Sequence, residues 1–325
     1  SFFRLSLAST GAAQLACQPM VGHVGMRDAR IWIQSAAPCQ AALVCWADSM
    51  GNAPTEVVVA AEQDLSREHA HTATFDLGGL QPGTDYRFQV LINDERVVDG
   101  IDTTLQRFST QPLWQYRFDP PPFKVALGSC AFINEPEFDR PGRPYGGGYE
   151  IFDGIANLQP DLMLWLGDNV YFREVDFSSR SGMQHRYSHL RRLPELQKLL
   201  GSCPHYALWD DHDYGPNDSD GSWIHKDWAA TTFGEFWANP SQGLPALQNQ
   251  GVTTSFQFHD VDFFLLDNRS FRVNHDNVTQ QPQVLGPEQV NWLIQALQYS
   301  RAPFKVIAIG RQFLSELAGY ANMAL

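Results

Sequence analysis

The hydrophobic period of this chain changes once, and the change falls on a stretch that no sheet can contain. Residues 110–122 hold Pro112 and the run Pro120-Pro121-Pro122. Consecutive prolines lack backbone donors and favour an extended, stiff spacer. Before this stretch apolar and polar residues alternate over 29–34, 40–46, 56–60 and 86–92, with turn residues between them. That spacing predicts the short strands of a β-sandwich. After it, apolar strands at 123–127, 161–166, 207–209, 254–267 (two strands) and 304–309 alternate with helical patterns at 149–158, 185–201 and 287–299. Strands interleaved with helices predict a layered α/β domain. The 325 residues thus divide into an N-terminal extension (1–20), a β-sandwich (21–112), a Pro-rich linker (113–122) and an α/β domain (123–325).

Within the first half, Leu80-Gln81-Pro82-Gly83-Thr84-Asp85-Tyr86 carries the most information. A Pro-Gly turn feeds a strand through a tyrosine able to fold back on the loop backbone, as tyrosine corners do. The segment resembles the corresponding corner of a fibronectin type III domain. Residues 1–17 read either as the remnant of an export signal or as a loop or first strand of the mature fold.

The formal charge of −13 and pI near 5.1 argue against a nucleic-acid surface, which needs a basic stripe to neutralise phosphates. Carboxylates in such excess keep a protein soluble or collect cations. No apolar run reaches the ~20 residues of a membrane-spanning helix. The five cysteines, Cys17, Cys39, Cys45, Cys130 and Cys203, form no CxxC pair, and an odd count leaves one thiol unpaired within the chain. Cys39 and Cys45 are expected to be able to face one another in a hairpin.

The polar residues mark the chemistry. Three apolar strands each end in potential metal ligands: Cys130; then Asp168 with Asn169 and Tyr171; then Asp210, Asp211, His212, Asp213 and Asn217. Ligands of open α/β sheets bind at the carboxyl ends of strands, so these residues are expected to meet at one edge. Thiolate, carboxylate, phenolate and imidazole suit a transition metal or ferric ion, whereas amide and further carboxylates suit a harder cation. Singly, Gly-Ser-Cys is a tight turn and Gly-Asp a turn or helix cap. The run Trp209-Asp210-Asp211-His212-Asp213 is different: its three carboxylates repel unless a cation screens them, and no Lys or Arg occurs from 209 to 223.

Gly128-Ser129-Cys130, Gly167-Asp168-Asn169-Val170-Tyr171, the run 209–218, Leu266-Asp267-Asn268-Arg269 and Leu285-Gly286-Pro287-Glu288-Gln289 resemble, in order and spacing, the motifs of the PhoD-like phosphatases. The resemblance implies a metallophosphoesterase-like layered α/β sandwich behind a fibronectin-like domain, and hydrolysis of phosphate mono- or diesters by a metal-activated hydroxide. It implies Cys130, Asp168 and Tyr171 around Fe3+, and Asp168 with Asn217 at Ca2+. His212 and Asp211 are the expected catalytic pair. Asn169 and Arg269 are the expected substrate contacts, with Arg269 alternatively a structural arginine paired to Asp267. Exported enzymes are usual in the family.

Two departures qualify the match. Asn169 stands where some relatives carry a phosphate-gripping arginine. The family pattern also continues with a Gly-Asp-x-His segment that supplies further ligands, and nothing here matches it, so a truncated catalytic domain is expected. The alternative is a catalytically incompetent scaffold that binds a partner through the fibronectin-like domain. Of the remaining residues, His185, His189, Arg191 and Arg192 are expected on a solvated helix face. Trp223, Trp228 and Trp237 are expected in the core, and the sequons at Asn217, Asn268 and Asn277 are read as chance matches.

Overall fold

A computed structural model describes residues 14–48, 57–138, 148–274 and 277–312. The first half forms β1 (Met20–Val24), β2 (Ala29–Gln34), β3 (Cys39–Ala47), β4 (Val57–Leu65), β5 (Thr72–Leu77), β6 (Asp85–Ile92), β7 (Glu95–Arg96) and β8 (Arg107–Ser109). One sheet runs β1-β2-β5; the other runs β4-β3-β6-β7, with β8 also on β6. All the pairings are antiparallel. Because side chains alternate across a strand, Ile31 and Ile33 of β2 meet Leu43 and Cys45 of β3 and Phe88 and Val90 of β6 between the sheets. The Tyr86 hydroxyl accepts the Gln81 N–H at 2.8 Å, which fixes the Pro-Gly corner. Cys39 and Cys45 lie on the same strand, six residues and roughly 20 Å apart, and so cannot face one another in a hairpin. All five thiols are free, and burial pushes those of Cys17, Cys45 and Cys203 up to about 12.

The second half builds β9 (Val125–Gly128), α1 (Ile151–Asn157), β10 (Leu162–Leu166), α2 (Arg180–Arg191), α3 (Gln197–Ser202), β11 (His205–Leu208), α4 (Lys226–Phe236), β12 (Thr254–Phe258), β13 (Val261–Leu265), α5 (Pro287–Tyr299) and β14 (Phe304–Ala308). A parallel sheet runs β11-β10-β9, and a mixed sheet pairs β13 antiparallel to β12 and parallel to β14. Leu162, Leu164, Tyr206 and Leu208 pack against Phe256, Phe258, Phe263 and Leu265 between the two sheets. Tyr206 stacks on Phe256 at 3.7 Å between ring centroids. The alternate residues Met163, Trp165, Ala207 and Trp209 face the helices. The helix expected over 185–201 is broken. Pro194 pushes Leu193 to an extended ψ of 123°, which ends α2 and starts a short turn before α3.

The halves are packed together. Trp32 of β2 points away from the sandwich core into the cluster of Trp165, Tyr187, Phe236 and Trp237, and its indole N–H donates to the Glu235 carbonyl at 2.7 Å. Arg191, expected in solvent, is wholly buried. Its guanidinium lies 5.3 Å from the Trp32 ring and 4.1 Å from the Trp237 ring. Aromatic faces attract the cation there, in place of water. Gln111 joins the halves just before the prolines: its amide donates to Val24 and Gln257 carbonyls at 2.8 and 2.9 Å and accepts the His259 N–H at 2.9 Å.

Candidate metal centre

Parallel pairing of β9, β10 and β11 brings their carboxyl ends to one edge, with Trp165 opposite Gly128 and Leu166 opposite Leu208. The chain then turns sharply. Cys130, Gly167 and Asp168 have φ of 57°, 91° and 50°. For Cys130 and Asp168 this left-handed backbone is strained, at about 1–3 kcal/mol each. It is held by the Cys130 N–H donating to the Gly167 carbonyl at 3.2 Å and the Ala131 N–H to the Asp168 carbonyl at 2.9 Å. Gly167 is required: a Cβ there would stand 2.8 Å from the Asp210 nitrogen.

These turns aim three side chains at one carboxylate oxygen. Asp168 Oδ2 lies 3.1 Å from the Tyr171 hydroxyl, 3.3 Å from His212 Nδ1 and 3.8 Å from Cys130 Sγ, while Oδ1 accepts the His212 N–H at 3.2 Å. Asp211 Oδ1 is also 3.3 Å from His212 Nδ1. Ligating atoms of Asp168, Asp211 and His212 all lie within 4.8 Å of one another. Burial works against a charged His212, yet its hydrogen bonds to Asp168 and Asp211 win and raise it to about 10. Burial and then the Asp168 charge raise Tyr171 well beyond the ordinary phenol range. A cation at this point reverses that cost, since it favours the phenolate and thiolate forms. Sulfur, phenolic oxygen, carboxylate and imidazole around one point form a donor set that fits a transition metal or ferric ion.

Other expected residues lie elsewhere. Asn169 is completely buried, and its amide donates to the Leu208 carbonyl and Asp213 Oδ2, each at 2.7 Å, so it faces the protein interior. Asp213 also accepts the Asp210 N–H at 2.7 Å, and burial followed by the Asp168 charge raises its pKa well above the carboxylate range. Arg269 Nε donates to Asp210 Oδ1 at 2.6 Å, and its Nη2 pairs with the same oxygen and lies 3.5 Å from Asp211. Its side-chain partner is therefore Asp210. Asp267 instead receives the Arg269 backbone N–H at 2.8 Å. Asn217 is exposed, with its amide donating to Asp218 at 2.6 Å, outside the Asp168 group.

Gln289, the last residue of the Leu-Gly-Pro-Glu-Gln motif, has no role assigned from its residue type alone. Fully buried, it accepts from the Asp267 N–H at 2.9 Å and donates to the Asp267 carbonyl at 2.8 Å, and so fixes the turn that carries Arg269. Only its place in a motif could have drawn attention to it. Asn268 of the second sequon is buried and donates to Asp210 at 2.7 Å.

The model of the PhoD-like phosphatases matches residues 125–316, more than half of the chain and every strand-end turn described above. The chain belongs to the PhoD-like phosphatase family. A domain of unknown function, DUF7800, matches residues 12–110. Among solved structures, that of PhoD aligns at a TM-score of 0.73 and 17% identity, over 94% of this chain and 64% of that one. The chain therefore spans under two thirds of that structure's length. The purple acid phosphatase PPD1 of yellow lupin (Lupinus luteus) aligns at 0.58 and 10% identity, over 89% of this chain and 50% of that one. At these identities the likeness is one of fold. No curated protein matches the chain. The PhoD-like half is thus a pair of packed sheets with helices, preceded by an all-β region, and no helix among its described residues is long and apolar enough to cross a membrane.

Proposed function

We propose that this PhoD-like chain hydrolyses phosphate mono- or diesters at the Asp168 edge. The convergence of Cys130, Tyr171 and His212 on one Asp168 oxygen carries the reading. Cys130, Asp168 and Tyr171 would hold Fe3+; Ca2+ between Asp168 and Asn217 would require the Asn217 side chain to leave Asp218. When bound, such ions supply charge neutralisation for the phosphoryl oxygens and an activated water. The protein's own groups do the rest. Asp211 and Asp168 engage His212 Nδ1 and orient the ring. Nε2 is then the atom able to give a proton to the leaving oxygen, as a general acid does. Arg269 holds Asp210 and Asp211 in place, and Asn169 steadies the turn through Asp213; neither needs to touch the ester.

The Tyr86 corner and the β1-β2-β5 sheet order support a fibronectin type III-like assignment for the sandwich, with the domain division at 113–122. Export from the cytoplasm fits the family and completes the reading.

The test is turnover of p-nitrophenyl phosphate and bis-p-nitrophenyl phosphate at alkaline pH with iron and calcium added. Turnover abolished both by EDTA and by Cys130→Ala supports the proposal. Turnover that survives either treatment contradicts it.

A further inference from the structure

The loop that leaves Cys130 meets helix α2 in a second cluster of potential ligands. Glu135 lies five residues after Cys130 and turns its carboxylate onto the helix. His185 and His189 stand four residues apart on α2, a spacing that puts both rings on one face. The sequence pattern predicts that pair in solvent, but the structure turns both rings towards the same oxygen. His185 Nε2 lies 2.6 Å from Glu135 Oε1, and His189 Nδ1 lies 3.8 Å from it. The other oxygen, Oε2, accepts from Arg186 Nη1 at 2.6 Å. Arg186 is wholly buried, and its Nε donates to Asp176 Oδ2 at 2.9 Å.

The two oxygens of Glu135 thus serve different partners. Arg186 fixes Oε2 from the protein interior, which aims Oε1 at the two imidazoles. Two histidines at i and i+4 with one carboxylate are a donor set that suits zinc, which accepts nitrogen and oxygen ligands alike. Around a tetrahedral zinc ion the ligand atoms lie about 3.3 Å apart. The 2.6 and 3.8 Å distances from Oε1 bracket that value. The His185 side chain is 56% exposed and that of His189 31%, so both rings have room to turn onto one ion. Water fills the coordination positions that remain. Burial lowers the His189 pKa, which favours the neutral ring a metal needs. The His185–Glu135 contact is a hydrogen bond whose proton the ion replaces on binding.

We infer that His185, His189 and Glu135 form a zinc site that ties the loop after Cys130 to α2. The inference stands apart from the phosphoesterase reading, because none of these ligands belongs to the Asp168 group. An ion held there joins two segments distant in sequence, so its binding adds to the stability of the fold.

Zinc bound after equilibrium dialysis of the protein, free of any histidine tag, against micromolar zinc reads the site. The wild-type protein should hold a full equivalent more than His185→Ala, and a full equivalent more than His189→Ala. Asp168→Asn, altered only at the other cluster, should keep that equivalent. Equal zinc in the wild type and both histidine variants overturns the site and leaves an ion-pair network around Glu135. An equivalent lost in Asp168→Asn but kept in both histidine variants overturns it too, since the zinc then sits at the Asp168 edge. Thermal unfolding gives a second reading. Saturating zinc should raise the Tm of the wild type more than that of His185→Ala, whose exposed position guards against misfolding. Equal shifts in the two proteins contradict the site.

Discussion

The β-sandwich and the α/β half handle buried polarity in opposite ways. Among the described residues, every buried charged side chain lies in the second half: Asp168, Arg173, Asp176, Arg186, Arg191, Asp211, Asp213, Asp267, Arg269 and Arg272. The sandwich buries only neutral polar groups, and Gln34 and Gln111 spend theirs on the other half. An alternating pattern suffices to close two sheets, so the first half obeys the simple rule that charge stays outside. Several buried charges in the second half are answered by a partner, as Arg186 is by Asp176 and Arg269 by Asp210, and Asp168, Asp211, Asp213, Asp267 and Arg269 collect where strands end.

Substitutions should expose that contrast, beginning with the largest effect. Asp267 accepts from Trp209, Arg269, Val252 and Ser270. Replacing it with Ala breaks a buried network and should cost about 5 kcal/mol, read from the urea midpoint. Ile33→Ala, in the sandwich core, should cost about 3 kcal/mol through its cavity and leave the metal content of folded protein unchanged. An equal loss of metal would mean that the halves are not separable in this sense.

Acid should act mainly on the second half. His205 is buried, with Nδ1 accepting from Trp165 and Nε2 donating to the Leu199 carbonyl, and burial lowers its pKa to about 3. The unfolded chain binds a proton near pH 6.5 that the folded form refuses. Stability should therefore fall by about 1.4 kcal/mol per pH unit from this residue as pH drops from 6.5 towards 3. His205→Gln should flatten the slope of unfolding free energy against pH by that amount. The smallest effect belongs to the sandwich surface: Arg87 pairs with Asp48 at 2.7 Å in partial exposure, and Arg87→Ala should move stability by no more than about 0.5 kcal/mol.

Much of this was legible in the residues. Alternation gave β2, β3 and β6, and the strand-then-ligand pattern gave the edge at which Cys130, Asp168, Tyr171 and His212 meet. α4 escaped notice because Thr231, Thr232 and Gly234 weaken its helical signal, so that packing on Trp209 and Trp237 decides it. The directions of side chains were not legible. Asn169 and Asn217 stand close in sequence to Asp168 and His212, but one turns inward and the other outward. A motif fixes neighbours along the chain, whereas the left-handed turns at Cys130 and Asp168 fix which atoms converge. Arg191 escaped for the same reason, since only the docking of Trp32 from the other half reveals its place.

The central proposal is that the Asp168 edge holds a cation through Cys130, Asp168 and Tyr171, with His212 beside it. Metal content of the purified protein, measured after exhaustive dialysis beside Asp168→Asn, tests it most directly. The account predicts bound iron in the wild-type protein and its loss in the variant, with the fold retained by circular dichroism. Equal metal content in both proteins would contradict it.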